Sequence, residues 1–256
     1  MFSRPRIIPT ILIDDRDLIK TVQFGKRTYL GDPVNAVKIF NRKRIDELSI
    51  LDIGATKNSR GPDYELLKDI AGEAFMPLSC GGGIKTIEQI HTLLAIGYEK
   101  VVLNTSLVRT PELVTKAAEQ FGSQSIVASI DAKKTDGDYR CYITDGTEKT
   151  KWNPVDLAKK AERIGAGEII INSIDNDGMM NGYDIDLVQQ VCDTVRVPVI
   201  AIGGAGNICD LKTVLQEGHA HAAAAGSMFV YYGRLKAVLI TAPSEEELIA
   251  AGIYQN

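Results

Sequence analysis

The chain has 256 residues, with 29 Lys plus Arg against 33 Asp plus Glu, and 45% of it is hydrophobic. This is the composition of a globular protein with a large core, and it excludes a collagen-like or disordered chain. A net charge of −4 with no long basic run leaves no electrostatic footprint for nucleic acid or an anionic membrane, so a small molecule or a protein is the expected partner.

Along the chain, apolar runs alternate with amphipathic stretches of helical period. Ile7–Ile13 is followed by Pro33–Arg44, Glu47–Ile53 by Asp63–Ala74, Met76–Cys80 by Thr86–Ile96, and Lys100–Asn104 by Pro111–Gln120. The second half continues with Ser125–Asp131 and Pro154–Ile164, Glu168–Ser173 and Ile185–Val195, Val197–Ile202 and Ile208–Gln216, then Ala220–Gly226 and Ser244–Ala251. Pro111 and Pro154 stand at first-turn positions, and Gly97 and Gly165 follow last turns. Eight such units call for parallel strands joined by right-handed crossovers, closed into a (β/α)8 TIM barrel, a single domain over residues 1–256. An open doubly wound sheet competes, but its GxGxxG fingerprint after the first strand is absent.

No apolar run reaches the roughly 18 residues needed to span a bilayer. The start, MFSRPRIIPTILIDD, runs into a strand pattern without a small-residue cleavage site, so a cytoplasmic location is expected. Cys80, Cys141, Cys192 and Cys209 have no CxxC spacing, and His219 and His221 could share a strand face but lack a third ligand. Neither a metal nor a cofactor is expected.

The two halves resemble each other. Leu51-Asp52, Pro77 to Gly83 and Asn104-Thr105-Ser106 recur as Ile174-Asp175, Pro198 to Gly206 and Ala225-Gly226-Ser227, at offsets of 121 to 123 residues. A duplicated half-barrel places equivalent loops on opposite sides of one face. Glycine directly after a strand brings backbone N–H groups close to a ligand, and phosphate is the natural guest. Gly82 and Gly83 with Asn104 and Thr105 form one candidate phosphate site; Gly203 and Gly204 with Gly226 and Ser227 form the other. A ligand with a phosphate at each end would use both.

The carboxylates at strand C-termini, where barrel chemistry resides, are Asp52, Asp131, Asp175 and Asp177. Asp131 is the candidate general acid or base, with Lys20 in the loop after the first strand across the barrel. Asp52 and Asp175 are related by the duplication, so at least one of them is expected to be structural.

Arg6-Ile-Ile-Pro9, Gly31-Asp32-Pro33, Leu51-Asp52-Ile53, Cys80-Gly81-Gly82-Gly83-Ile84, Ile130-Asp131-Ala132, Ser173 to Gly178 and Gly203 to Gly206 closely resemble the HisF family, the cyclase subunit of imidazole glycerol phosphate synthase. The match runs in order along essentially the whole chain. The resemblance implies a duplicated barrel that takes ammonia from a HisH-like glutaminase at its N-terminal face. It also implies that ammonia is used on a bisphosphorylated ribotide at the other face.

The family's acid-base pair is two aspartates, ending the first and fifth strands. Asp131 matches the second, but Leu12 stands where the first belongs, and leucine transfers no proton. Asp14, two residues on, is displaced by about 6.6 Å along a strand, too far to substitute. The family's Asp-Gly-Thr turn reads Asp177-Gly178-Met179, losing a hydroxyl from one phosphate region, and Ile202 replaces a serine before the second Gly-Gly.

Arg6, Glu47, Lys100 and Glu168 match the ring of alternating charges at the family's ammonia entrance, each at the start of an alternate strand. An intact entrance with an altered catalytic face is expected of an ammonia-conducting subunit. The resemblance to HisF-like paralogues implies a HisH-like glutaminase and a sugar amidotransferase as its partners, in amidinating a surface-polysaccharide sugar. A genuine cyclase of histidine biosynthesis is the alternative, and a plain phosphate-binding isomerase or aldolase barrel is a third.

Overall fold

The computed structural model describes residues 4–255. Eight parallel strands form its centre: β1 (Arg6–Asp14), β2 (Leu48–Asp52), β3 (Leu78–Gly81), β4 (Lys100–Leu103), β5 (Ile126–Thr135), β6 (Glu168–Ser173), β7 (Val199–Ile202) and β8 (Ala222–Ala225). Each pairs with its sequence neighbours, and β8 pairs with β1, so the sheet closes on itself as a (β/α)8 barrel.

The outer helices form where the sequence supplies both an apolar stripe and a start signal. Asp32 accepts from the Asn35 N–H ahead of α1 (Pro33–Lys43), whose Ala36, Val37 and Phe40 are buried. Thr86 and Gln89 make a reciprocal capping box at the helix Ile87–Ile96, and Asn207 and Asp210 do the same at Ile208–Gln216. Inside the barrel lies a smaller apolar cluster of Ile8, Val102, Val127, Ile170, Ile200, Ala222 and Ala224.

Three excursions depart from the plain repeat. β1 turns through Asp15 and Arg16, at φ 50° and 70°, into an antiparallel strand Asp17–Lys20, which pairs in turn with Thr28–Gly31. β5 continues four residues past Asp131, turns at Asp136-Gly137 and returns as Asp138–Ile143. After the last barrel strand, Tyr231–Tyr232 and Ala237–Val238 form a separate hairpin. No helix among the described residues is long and apolar enough to cross a membrane.

The duplication is visible in backbone geometry. Asn104 precedes the short helix Thr105–Arg109 at φ −111° and ψ −74°, and Gly226 precedes Ser227–Val230 at −105° and −67°. The structural equivalent of Asn104 is therefore Gly226, not the Ala225 suggested by sequence offset, because β7 and its loop carry one residue more than β3 and its loop.

Candidate active site

One cavity runs inside the barrel, touching Glu47 at the strand starts and Asp131, Asp177 and Gly226 at the strand ends. Because side chains alternate along a strand, Ile8, Thr10 and Leu12 of β1 all face it.

At the lower end, Arg6 donates to Glu47 and to Glu168, and Lys100 Nζ lies 3.1 Å from Glu47 and 2.9 Å from Glu168. Each acid bridges both bases, closing a ring. Burial alone would lower the Arg6 pKa, but Glu168 and Glu47 outweigh it and hold the guanidinium above its ordinary value. The alternate-strand expectation holds for Glu47, Lys100 and Glu168, which stand at the starts of β2, β4 and β6, but not for Arg6. Arg6 and Glu47 are neighbours, at the starts of β1 and β2, while Lys100 opens β4 and Glu168 opens β6. Barrel stagger brings the residues of alternate strands to one level, and Arg6 joins them from β1 through its side-chain contacts to both acids.

At the upper end, Asp131 is 8% exposed and clamped by two carboxamides. Asn104 Nδ2 donates to its Oδ2 at 3.2 Å, and Asn172 Nδ2 to its Oδ1 at 3.3 Å. Burial pushes Asp131 up to about 7, the Asn172 hydrogen bond pulls it down, and Asp145 and Asp177 add to the rise. It thus exchanges a proton near neutrality, as a general acid or base requires.

Lys20 is 5% exposed, and its ammonium donates to Asp177 Oδ1 and to the Thr21 carbonyl, each at 2.9 Å. Asp177 Oδ2 accepts from Thr21 Oγ1 at 3.0 Å. Leu12 lines the same cavity with no polar atom to offer. Asp14 pairs instead with Arg27, which also holds Asp145 at 3.0 Å and ties the loops after β1 and β5 together. Asp52 and Asp175 both serve structure: Asp52 accepts from the N–H groups of Gly54 and Ala55, and Asp175 from that of Lys134.

The paired glycines sit where a side chain cannot. A Cβ on Gly82, at φ +114°, would lie 2.2 Å from the Asp52 carbonyl oxygen, and one on Gly204, at φ +117°, 2.0 Å from that of Gly182. Gly83 and Gly203 also have positive φ, and Gly178 turns at φ +73° against Thr21 and Val22. Thr105 Oγ1 accepts from the Thr144 N–H, and Ser227 Oγ is buried without a partner. Exposed Met179 follows Gly178. His219 pairs with Asp193 and His221 Nδ1 accepts from the Val199 N–H, so the two histidines have separate structural duties.

Asn172 was not singled out in the sequence. Its signal is a register one: it lies directly beside Asp131 across the β5–β6 ladder.

A family model described as histidine biosynthesis protein matches residues 6–236. A Pseudomonas aeruginosa protein called "Putative imidazole glycerol phosphate synthase subunit hisF2" is 46% identical over 246 residues, 96% of this chain and 98% of that one. A Leptospira interrogans protein with the corresponding HisF name is 45% identical over 246 residues, covering 95% and 97%. The imidazole glycerol phosphate synthase subunit HisF of Natranaerobius thermophilus is 42% identical over 224 residues, covering 88% and 89%. The chain belongs to the HisF family.

Proposed function

We propose that this HisF-type subunit receives ammonia from a HisH-like glutaminase docked over the Arg6–Glu47–Lys100–Glu168 ring and conducts it through the barrel to an acceptor at the other face. The acceptor reaction is amidination of a surface-polysaccharide sugar by a separate amidotransferase. The observation that carries the reading is Leu12. Closing an imidazole ring requires proton transfers on two sides of the substrate, and the cavity offers a titrating carboxyl from β5 but a hydrocarbon from β1.

The remaining parts suit a conduit. The charged ring is internally neutralised, so it excludes bulk ions while leaving polar groups at the entrance. Above it the interior is largely apolar, which favours a small neutral molecule over a charged one. At the mouth, the paired glycines with Asn104, Thr105, Gly226 and Ser227 suit a phosphorylated ligand, bound at one or both ends.

A genuine cyclase is the second reading. Asp131, at about 7, and buried Lys20 beside Asp177 favour it, with a water standing in for the missing acid. Ammonia-dependent turnover of the bisphosphorylated ribotide by the purified chain, followed by ultraviolet absorbance beside Asp131→Asn, separates the two. The conduit reading expects no turnover, with glutaminase still bound and active. Turnover that Asp131→Asn abolishes would establish a cyclase.

A further inference from the structure

The stagger of the barrel arranges its inward side chains in rows that climb from the charged ring to the mouth, one strand at a time. From Glu168 the ladder registers run through Val127, Val102, Gly81 and Leu51 to Leu12. From Arg6 they run through Ala222, Ile200 and Ile170 to Ser129. Above their charged first members, the first row is apolar throughout and the second is apolar up to Ser129. A further row carries Ile8 beside Ala224 low down, and Ile202, Asn172 and Asp131 at the top.

The row that starts at Lys100 is different. It runs through Ser79 and Ser49 to Thr10, three hydroxyl residues in register on consecutive strands. All three are at most 4% exposed and line the cavity. Thr10 Oγ1 and Ser49 Oγ are buried with no hydrogen-bond partner. Its upper end adjoins the mouth: a Cβ on Gly226 would lie 3.2 Å from the Thr10 carbonyl oxygen and 3.1 Å from Lys20 Cε.

Leaving a buried hydroxyl unpaired costs free energy, and an alanine or valine would fill either position at lower cost. Neighbouring strands are about 4.8 Å apart, and the Thr10 and Ser49 hydroxyls are not bonded to each other, a spacing that suits a bridging molecule of one heavy atom. We infer that Lys100, Ser79, Ser49 and Thr10 form a hydroxyl ramp that binds neutral ammonia and carries it up one side of the barrel wall from the ring to Lys20. Each hydroxyl accepts from an ammonia N–H or donates to its lone pair, so the molecule passes from one strand to the next without meeting an unpaired state. Ammonium is excluded, because the cavity lining has carboxylates at the ring and the mouth but none along the ramp.

This rests on the conduction reading, and the two are tested separately. Ammonium chloride is titrated into the full chain carrying 13C-labelled Ile and Thr methyl groups, below and above the pKa of ammonium, with potassium chloride matching ionic strength. The ramp predicts saturable shifts of the Thr10 and Ile8 methyls that follow free ammonia and not total ammonium. Ser49→Ala combined with Ser79→Ala should raise the apparent dissociation constant about tenfold. Ser129→Ala, in an apolar row, should leave it unchanged. Shifts that do not saturate, that follow salt, or that survive the double substitution overturn the ramp. If the double variant does not fold, Ser49→Ala alone is read, with a loss of about threefold expected and no loss overturning the proposal.

In a second assay, a glutamine-fed complex with a HisH-type glutaminase is monitored for ammonia escaping into bulk solvent. Binding at the ramp with complete escape removes conduction and keeps the site. Sealed transfer with no binding at the ramp removes the ramp alone.

Discussion

Replacing Asp131 by Asn should stabilise the protein at alkaline pH and do so far less in acid. In the folded chain the Asp131 carboxyl titrates at about 7, because burial penalises its charged form. In the unfolded chain it titrates at about 3.9. A group whose folded pKa is raised contributes stability that is complete below the unfolded pKa and is lost as pH rises through the folded one. Asp131 therefore favours folding near pH 4 and has lost that contribution by pH 8. Integrating between about pH 5 and 8 with these two pKa values gives a loss of about 3 kcal/mol, which an asparagine at the same place does not suffer. Asn104 and Asn172 each donate to the carboxylate, and either can instead meet the new carboxamide oxygen. Urea denaturation of both proteins at pH 5 and pH 8 measures the difference, read as the change in the stability gap between the two pH values. An equal gap at both would mean that Asp131 is ionised across the whole range and that the clamp, not burial, governs it.

Leu12→Asp should return some ammonia-dependent turnover of the bisphosphorylated ribotide, because it restores a second carboxylate facing the cavity from β1; no gain in a folded variant would place the block elsewhere at the mouth. Glu47→Ala breaks the ring by leaving Arg6 and Lys100 short of a partner in a part-buried setting, and about 3 kcal/mol should be lost in chemical denaturation, with more ammonia escaping in the glutaminase complex. Gly204→Ala forces a side chain into the Gly182 carbonyl at positive φ, so a loss of at least about 2 kcal/mol and weaker binding of phosphorylated ligands are expected by denaturation and calorimetry.

The eight repeats were legible because each barrel strand is an apolar run and most following helices carry a local start signal, such as Pro111 or the Thr86 box. The excursions were not. The turn at Asp15-Arg16 uses two non-glycine residues at positive φ, which no hairpin rule based on Asn-Gly or Asp-Gly selects. The β5 hairpin does carry such a pair at Asp136-Gly137, but the apolar run that marks the strand ends at Asp131, five residues before the turn. Asp131 itself was found, since it ends an apolar run. Asn172 was not, because its importance lies in cross-strand register, and a linear pattern holds no record of which residues become neighbours across a ladder.

The rows that climb the barrel wall also bear on how such a chain can change over generations. A substitution touches a single row, so a carboxylate can give way to leucine at the top of one while the hydroxyls of another are untouched. A one-residue insertion or deletion within a strand would slide that strand against both neighbours, inverting its inward and outward faces and severing every row that crosses it. Divergence within this architecture is therefore free to rewrite the mouth by point changes, while the lengths of the strands that build the interior are held fixed.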